Sequence, residues 1–249
     1  MSVERSIPVL LRAFLLLSMI PLSGEAQKAD RFTAFGLQYR PILATPLLDT
    51  GPFSTRNEEF SVKVTPELGH DFGMVLRWGI DERFAIETGI DQIRRNFRIE
   101  VKDRKSDFKE QMRFEMLAYQ LPLRALLYVQ LGKKLYTNAA VGVVGDIFPT
   151  DWSISRSRTS QFTQRFNWLI GGFTANVGFE YRTDENGSLY FGGTYHRPLS
   201  DAPHFRADIG AMRVRYKRNK RALEQILLVP GNYITLDFKY FFPVLNKSN

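Results

Sequence analysis

Hydrophobic residues recur at every second position over long stretches of this chain. The longest is FSVKVTPELGHDFGMVLRWGI, residues 60 to 80. Its even positions carry Phe60, Val62, Val64, Leu68, Phe72, Met74, Leu76, Trp78 and Ile80, and its odd positions carry Ser61, Lys63, Thr65, Glu67, Gly69, Asp71, Gly73, Arg77 and Gly79. A period of two predicts a β-strand with one apolar and one polar face. Ordinary strands run about 5–6 residues, so a strip of this length needs a tall apolar surrounding on one side only.

The pattern returns along the chain. RFTAFGLQYRP (31–41) sets Phe35, Leu37 and Tyr39 against Ala34, Gly36, Gln38 and Arg40. FAIETGID (84–91), RFEMLAYQLPLRALLYVQ (113–130), LYTNAAVGVVGDIF (135–148), FNWLIGGFTANVGFEYR (166–182), SLYFGGTYHRP (188–198) and NYITLDFKYFF (232–242) continue it, which makes eight predicted strands and no helix of comparable periodicity. Two details disturb the pattern. Pro122 removes a ladder donor, which is tolerated best at a bulge. Near Ile93 the apolar residues move to odd positions (Phe97, Ile99, Val101), as a bulge or emergence from the apolar surrounding would produce.

The connections alternate in length. Short links fall at 81–83, 131–134 and 183–187, the last containing Asn186-Gly187; long polar links fall at about 42–59, 102–111, 149–164 and 199–230. Tight turns at one end and long loops at the other are the layout of a transmembrane β-barrel. In a bilayer every backbone N–H and C=O must be paired, so strands cross only as a closed barrel. The fold expected is therefore all-β: an eight-stranded antiparallel up-and-down barrel, with short periplasmic turns and long extracellular loops. Its lumen is just wide enough for side chains. The inward charges Glu67, Asp71, Arg77, Glu87, Asp91, Asp237 and Lys239 must then neutralise one another. Trp78, Phe84, Tyr181 and Tyr240 fit interfacial girdles.

Composition adds an address. MSVERSIPVLLRAFLLLSMIPLSGEAQ begins with Arg5 and Arg12, continues through an apolar run from Ala13 to Leu22, and ends in Gly24-Glu25-Ala26. That is the layout of a cleavable secretory signal, giving residues 1–26 as signal peptide and 27–249 as the barrel domain. The signal holds two basic residues (Arg5, Arg12) and two acidic ones (Glu4, Glu25), so the remainder keeps the whole chain's net charge of +8. Cysteine is absent, which excludes a disulfide scaffold. The expected location is the outer membrane.

LAYQLPLRALLYV (117–129), AAVGVVGDIF (139–148), IDERFAIETGI (80–90) and the aromatic finish Tyr240-Phe241-Phe242 together resemble the PorT-like small outer-membrane barrels of Bacteroidota. The resemblance covers nearly all of the chain after residue 26, except that VLNKSN follows the last aromatic residues and the last link is long. It implies insertion by the outer-membrane assembly machinery. Because some relatives are accessory components of type IX, gliding-associated secretion, it also offers that role as an alternative function.

Candidate chemistry is sparse. From Asp201 to Glu224 the basic residues Arg206, Arg213, Arg215, Lys217, Arg218, Lys220 and Arg221 outnumber Asp201, Asp208 and Glu224, a net of +4. Clustered guanidinium groups suit phosphate oxygens or an acidic partner, while a solvated loop is the plain alternative. The alternation of Met212, Val214 and Tyr216 also allows a strand extension above the membrane. His70, His196 and His204 form no metal-ligand spacing, HRPLSD (196–201) is too contiguous for a nucleophilic triad, and DENG (184–187) is a turn rather than a calcium loop. We expect a monomeric, non-enzymatic barrel without metal or cofactor. Its partners would be outer-membrane lipid and lipopolysaccharide, with secretion components as the alternative and no nucleic acid. A barrel-embedded lipid-modifying enzyme or a porin is less favoured.

Overall fold

The computed structural model describes residues 32–156, 158–183, 185–199, 208–218 and 221–243, with the backbone alone for Arg218 and Arg221. Residues 1–26, expected to be a signal peptide, lie outside them. The strands, in chain order, are β1 (Thr33–Leu43), β2 (Phe53–Arg56), β3 (Phe60–Gly79), β4 (Phe84–Asp103), β5 (Lys109–Gln130), β6 (Leu135–Ile147) and β7 (Trp152–Ser155). They continue with β8 (Thr159–Arg165), β9 (Leu169–Arg182), β10 (Ser188–Pro198), β11 (Asp208–Arg218), β12 (Arg221–Pro230) and β13 (Tyr233–Phe241). The expected tally of eight is thus corrected to thirteen among the described residues. The stretches β1, β3, β4, β5, β6, β9, β10 and β13 pair antiparallel around a ring that β1 closes by bonding both β3 and β13.

The five further strands occupy links expected to be loops. The chain β12–β11–β8–β7 forms a separate four-stranded sheet, and β2 adds to the edge of β3. Hydropathy hides β8 because its inward residues Thr159, Gln161 and Thr163 are polar yet buried. At the opposite end the connections are tight. Asp81 Oδ1 accepts from the Arg83 and Phe84 amides at 2.7 Å, and Gly187 turns the chain at a φ of 75°, where a side chain would be strained.

These elements stack in two storeys. The lower one is the complete ring, where β5 pairs β6 from Tyr119 to Gln130. Its outer wall is apolar, with Phe72, Leu123, Val141, Phe173, Phe191 and Phe238 exposed. Its interior is polar, with Arg40, Asp71, Glu87, Arg124 and Asp237 buried. In the upper storey β3, β4 and β5 run on beyond the ring, and the four-stranded sheet faces them. There the arrangement reverses. Phe60, Ile99, Val101, Met112, Phe114, Met212 and Val214 pack inside as one apolar core, while Lys63, Lys102, Lys109 and Arg113 point outward. Arg95 bridges the storeys, its guanidinium donating to the carbonyls of Pro230 at 3.1 Å and Gly231 at 3.2 Å.

Neighbouring strands accomplish the reversal by opposite devices. In β4 and β5 the phase never breaks. The inward set simply changes from Glu87 and Asp91 to Ile93, Phe97 and Ile99, and from Arg124 and Gln120 to Met116 and Phe114. In β3 the apolar residues stay on even positions throughout, and a bulge between Glu67 and His70, against β4, rotates the strand. Phe60, Val62 and Val64 therefore lie fully buried in the upper core while Phe72 and Met74 remain on the outer wall. Without that extra residue the upper valines would face out. Pro122 needs no bulge: β5 keeps its register on either side of it, and Thr88 Oγ1 donates to the Pro122 carbonyl at 2.7 Å.

Candidate functional site

The lumen of the lower storey is filled by two layers of paired polar groups. Asp71, Arg77, Glu87, Asp91, Asp237 and Lys239 all lie in it, buried. Glu67 does not. The β3 bulge leaves it on the outer face of the upper storey, where it binds Arg98 and sits 3.2 Å from Arg113.

Nearest the short turns, Glu87 is the hub. Its carboxylate accepts from Lys239 Nζ at 2.6 Å, Arg77 Nη2 at 2.7 Å and Arg124 Nη1 at 3.1 Å. Arg77 reaches in addition to Glu180 at 2.6 Å, and β3 and β9 stand diametrically opposite in the ring. The Arg77 guanidinium lies 3.9 Å over the Phe241 ring and the Lys239 ammonium 5.1 Å over Tyr190. Arg182, at the turn end, caps Glu180 at 2.7 Å.

Closer to the upper storey, Arg40 lies 2.6 Å from both Asp71 and Asp91, and Gln38 donates to Asp91. Gln120 donates to Asp146 and to the Tyr233 hydroxyl, each at 2.8 Å, which again spans opposite strands, β5 and β13. His196 stacks on Tyr233 with ring centroids 4.4 Å apart and sets Nε2 2.9 Å from Asp146. Asp237 accepts from Asn176 at 2.8 Å and from Thr194 and Thr235. Six carboxylates (Asp71, Glu87, Asp91, Asp146, Glu180, Asp237) meet four buried cations (Arg40, Arg77, Arg124, Lys239). The remainder is met by Arg182 and by neutral donors. Gly73 makes room for this, since a Cβ there would overlap the Asp91 carboxylate.

Sequence reasoning missed Arg40, Arg124, Asp146, Glu180 and His196. The available signal was parity. Arg40 shares its face with Gly36 and Gln38, and Arg124 alternates with Leu123, Ala125 and Leu127.

The basic segment divides. Arg206 and Lys220 lie outside the described residues, as do Ser200, Asp201 and His204. Arg218 and Arg221 end the β11–β12 hairpin and are described by backbone only. Arg213, Arg215 and Lys217 alternate along β11 and face outward on the four-stranded sheet. Glu224 of β12 lies beside Arg215, with Arg213 Nε at 3.1 Å and Arg215 Nε at 2.8 Å. Hydrogen bonding from Arg215 holds the Glu224 carboxyl below its ordinary range. On the opposite wall of the upper storey Lys109 and Lys102 flank Glu100 at 3.0 and 3.1 Å. They hold its carboxyl down to about 2, Lys109 contributing most. Among the described residues no group of His, Asp and Glu is arranged to hold a metal ion.

Comparison with known proteins bears on the fold. No family model matches the chain, and no curated protein does. Among solved structures it is similar to the outer membrane protein OprG from Pseudomonas aeruginosa. The two are 13% identical, and the match covers 87% of this chain and 98% of that one at a TM-score of 0.52. The COG4313 outer membrane channel from Pseudomonas putida F1 matches at 10% identity over 90% of this chain and 100% of that one, at a TM-score of 0.28. At such identity the OprG likeness establishes an antiparallel barrel of the kind found in outer membrane proteins, and the COG4313 overlap is too loose to add to it.

Proposed function

We propose that the chain is an integral outer-membrane β-barrel protein, non-enzymatic, whose ring crosses the bilayer and whose upper storey stands at the cell surface. The observation that carries this is the reversal of facial polarity at one level of the molecule. Below it, exposed Phe, Leu and Val surround a charged interior; above it, exposed Lys, Arg and Glu surround an apolar core. Water favours only the upper arrangement, and hydrocarbon only the lower. The lower storey is the right height: the twelve β5 residues paired to β6, tilted as barrel strands are, rise roughly 30 Å.

The end with tight turns faces the periplasm in this reading, as in other such barrels. Diametric bonds at two levels, Arg77 to Glu180 and Gln120 to Tyr233, leave the lumen a packed interior rather than a conduit. Most of the luminal charges are engaged with one another, Glu87 with Arg77, Arg124 and Lys239 and Arg40 with Asp71 and Asp91, which supports a structural rather than a catalytic role. Membership among the PorT-like barrels is part of this proposal and rests on the Tyr119–Pro122–Leu123 strand and its neighbours.

The test is fractionation of expressing cells together with gel mobility before and after heating. Recovery in the outer membrane, with folded and unfolded forms migrating apart, is the expected result. Recovery as a soluble periplasmic protein would overturn the reading.

A further inference from the structure

The two outer walls of the upper storey differ. The wall of β3, β4 and β5 presents charged rows: Lys63, Glu100 and Gln111 lie side by side, as do Thr65, Arg98 and Arg113. The wall of the four-stranded sheet presents cations mixed with bare hydrocarbon. In one row Ser153, Phe162, Arg213 and Ile226 are cross-strand neighbours, and in the next Ser155, Ser160, Arg215 and Glu224. Phe162 is 44% exposed, Ile226 57% and Leu228 47%, although this wall stands where water would otherwise meet it.

Those two rows enclose a groove of about 420 Å³ lined by Ser153, Ser155, Ser160, Phe162, Arg213 and Arg215. Glu224 occupies the Nε atoms of both arginines and so orients the two guanidinium forks while no described residue takes their terminal amino groups. Forked guanidinium groups beside hydroxyl donors match the oxygens of a phosphate ester, and the exposed Phe162 ring offers a flat face to a sugar.

What lies below the groove selects the source of that phosphate. Along β12 the outward residues descend from Glu224 through Ile226 to Leu228, and exposed Phe166, Trp168 and Leu199 continue the apolar surface to the wall of the ring. Read from bottom to top this is the apolar wall of the ring, then exposed aromatic and aliphatic side chains, then cations. That is the order in which a membrane amphiphile presents acyl chains, interface and phosphate.

We propose that the outer face of the β7–β8–β11–β12 sheet is a binding site for a phosphorylated glycolipid of the outer leaflet. Arg213 and Arg215 hold the phosphate, the serines hold adjoining sugar hydroxyls, and Leu228 and Trp168 lie along the acyl chains. The site rests on the outer-membrane reading given above.

The experiment uses the full chain refolded in detergent free of bacterial lipid. The probes are a phosphorylated, acylated disaccharide, the same glycolipid after enzymatic dephosphorylation, and inorganic phosphate. The phosphorylated glycolipid is expected to bind at least about tenfold more tightly than either other probe. That preference should vanish in R213A/R215A and persist in K63A/K102A on the opposite wall. Equal affinity for the two glycolipids, or an unchanged preference in R213A/R215A, overturns the site. Inorganic phosphate binding as tightly as the glycolipid overturns the lipid source. If R213A/R215A does not refold, the salt dependence of the unsubstituted chain decides: phosphorylated-glycolipid affinity must fall as salt rises, and salt-independent binding overturns the site. An inserted, heat-modifiable barrel that ignores phosphate sinks this proposal alone, whereas a chain that never enters the outer membrane sinks the barrel reading first.

Discussion

Glu87 is the side chain on which the layer nearest the short turns depends, because it pairs with Arg77, Arg124 and Lys239 together. Deleting one member of a buried charge cluster leaves the others uncompensated at a cost of about 3–5 kcal/mol. Glu87→Ala is therefore expected to lower the urea midpoint of the refolded barrel by that equivalent. Arg98→Ala, which breaks a pair open to solvent, should change it by less than about 1 kcal/mol. A titration marks the outer wall. Because the folded Glu100 carboxyl is held down to about 2 by Lys109 and Lys102, whatever stability it adds is fully present above the ordinary glutamate value of about 4.3. It is lost as pH falls towards about 2. Carbon-detected NMR of the Glu100 carboxyl should follow that curve, and Lys109→Ala should move its midpoint upward.

At the scale of the strand, the bulge in β3 decides which face goes where. An added side chain at Gly69 would meet the Arg94 carbonyl at 2.6 Å and Ile42 at 3.1 Å, so Gly69→Val should destabilise by about 1–3 kcal/mol, read as a lower melting temperature in micelles. The same feature explains what the residues alone conveyed. The alternation of residues 60–80 is unbroken on paper, yet its upper third faces a protein core and its lower part the outer wall, because one inserted residue rotates the strand without disturbing parity. In β4 the apparent loss of phase near Ile93 was legible, but it is a change of surroundings rather than of phase. The ring strands were readable within a few residues because Phe, Leu and Val mark their outer face. β7 and β8 were not, since Thr159, Gln161 and Thr163 fill inward positions and carry no hydropathy contrast. The lumen was half legible for a related reason. Parity identifies which residues turn inward, but only three-dimensional closure pairs Arg77 with Glu180 across the ring.

For the molecule as a whole, two environments are expected at two heights. Spin labels replacing Phe72, Phe173 and Phe238 should be reached by oxygen dissolved in acyl chains, and labels at Arg98 and Lys109 by a water-soluble nickel complex. The reverse pattern would place the ring outside the bilayer. Planar bilayers containing the protein should show no steady single-channel conductance, since side chains bridge the lumen at two levels. Val214→Asp, a charge placed at a fully buried position of the upper core, should make the upper storey protease-sensitive while the ring keeps its heat-modifiable mobility.

The upper storey also has a consequence for how such a protein can be altered. Half of it is built from prolongations of β3, β4 and β5, so it has no boundary at which a cassette could be cut out. Its other half comes from two hairpins inserted at separate points in the chain, which hold each other through β8 and β11. Any graft of foreign epitopes must therefore exchange both hairpins as a matched set, retaining the inward threonines and methionine that their shared seam requires.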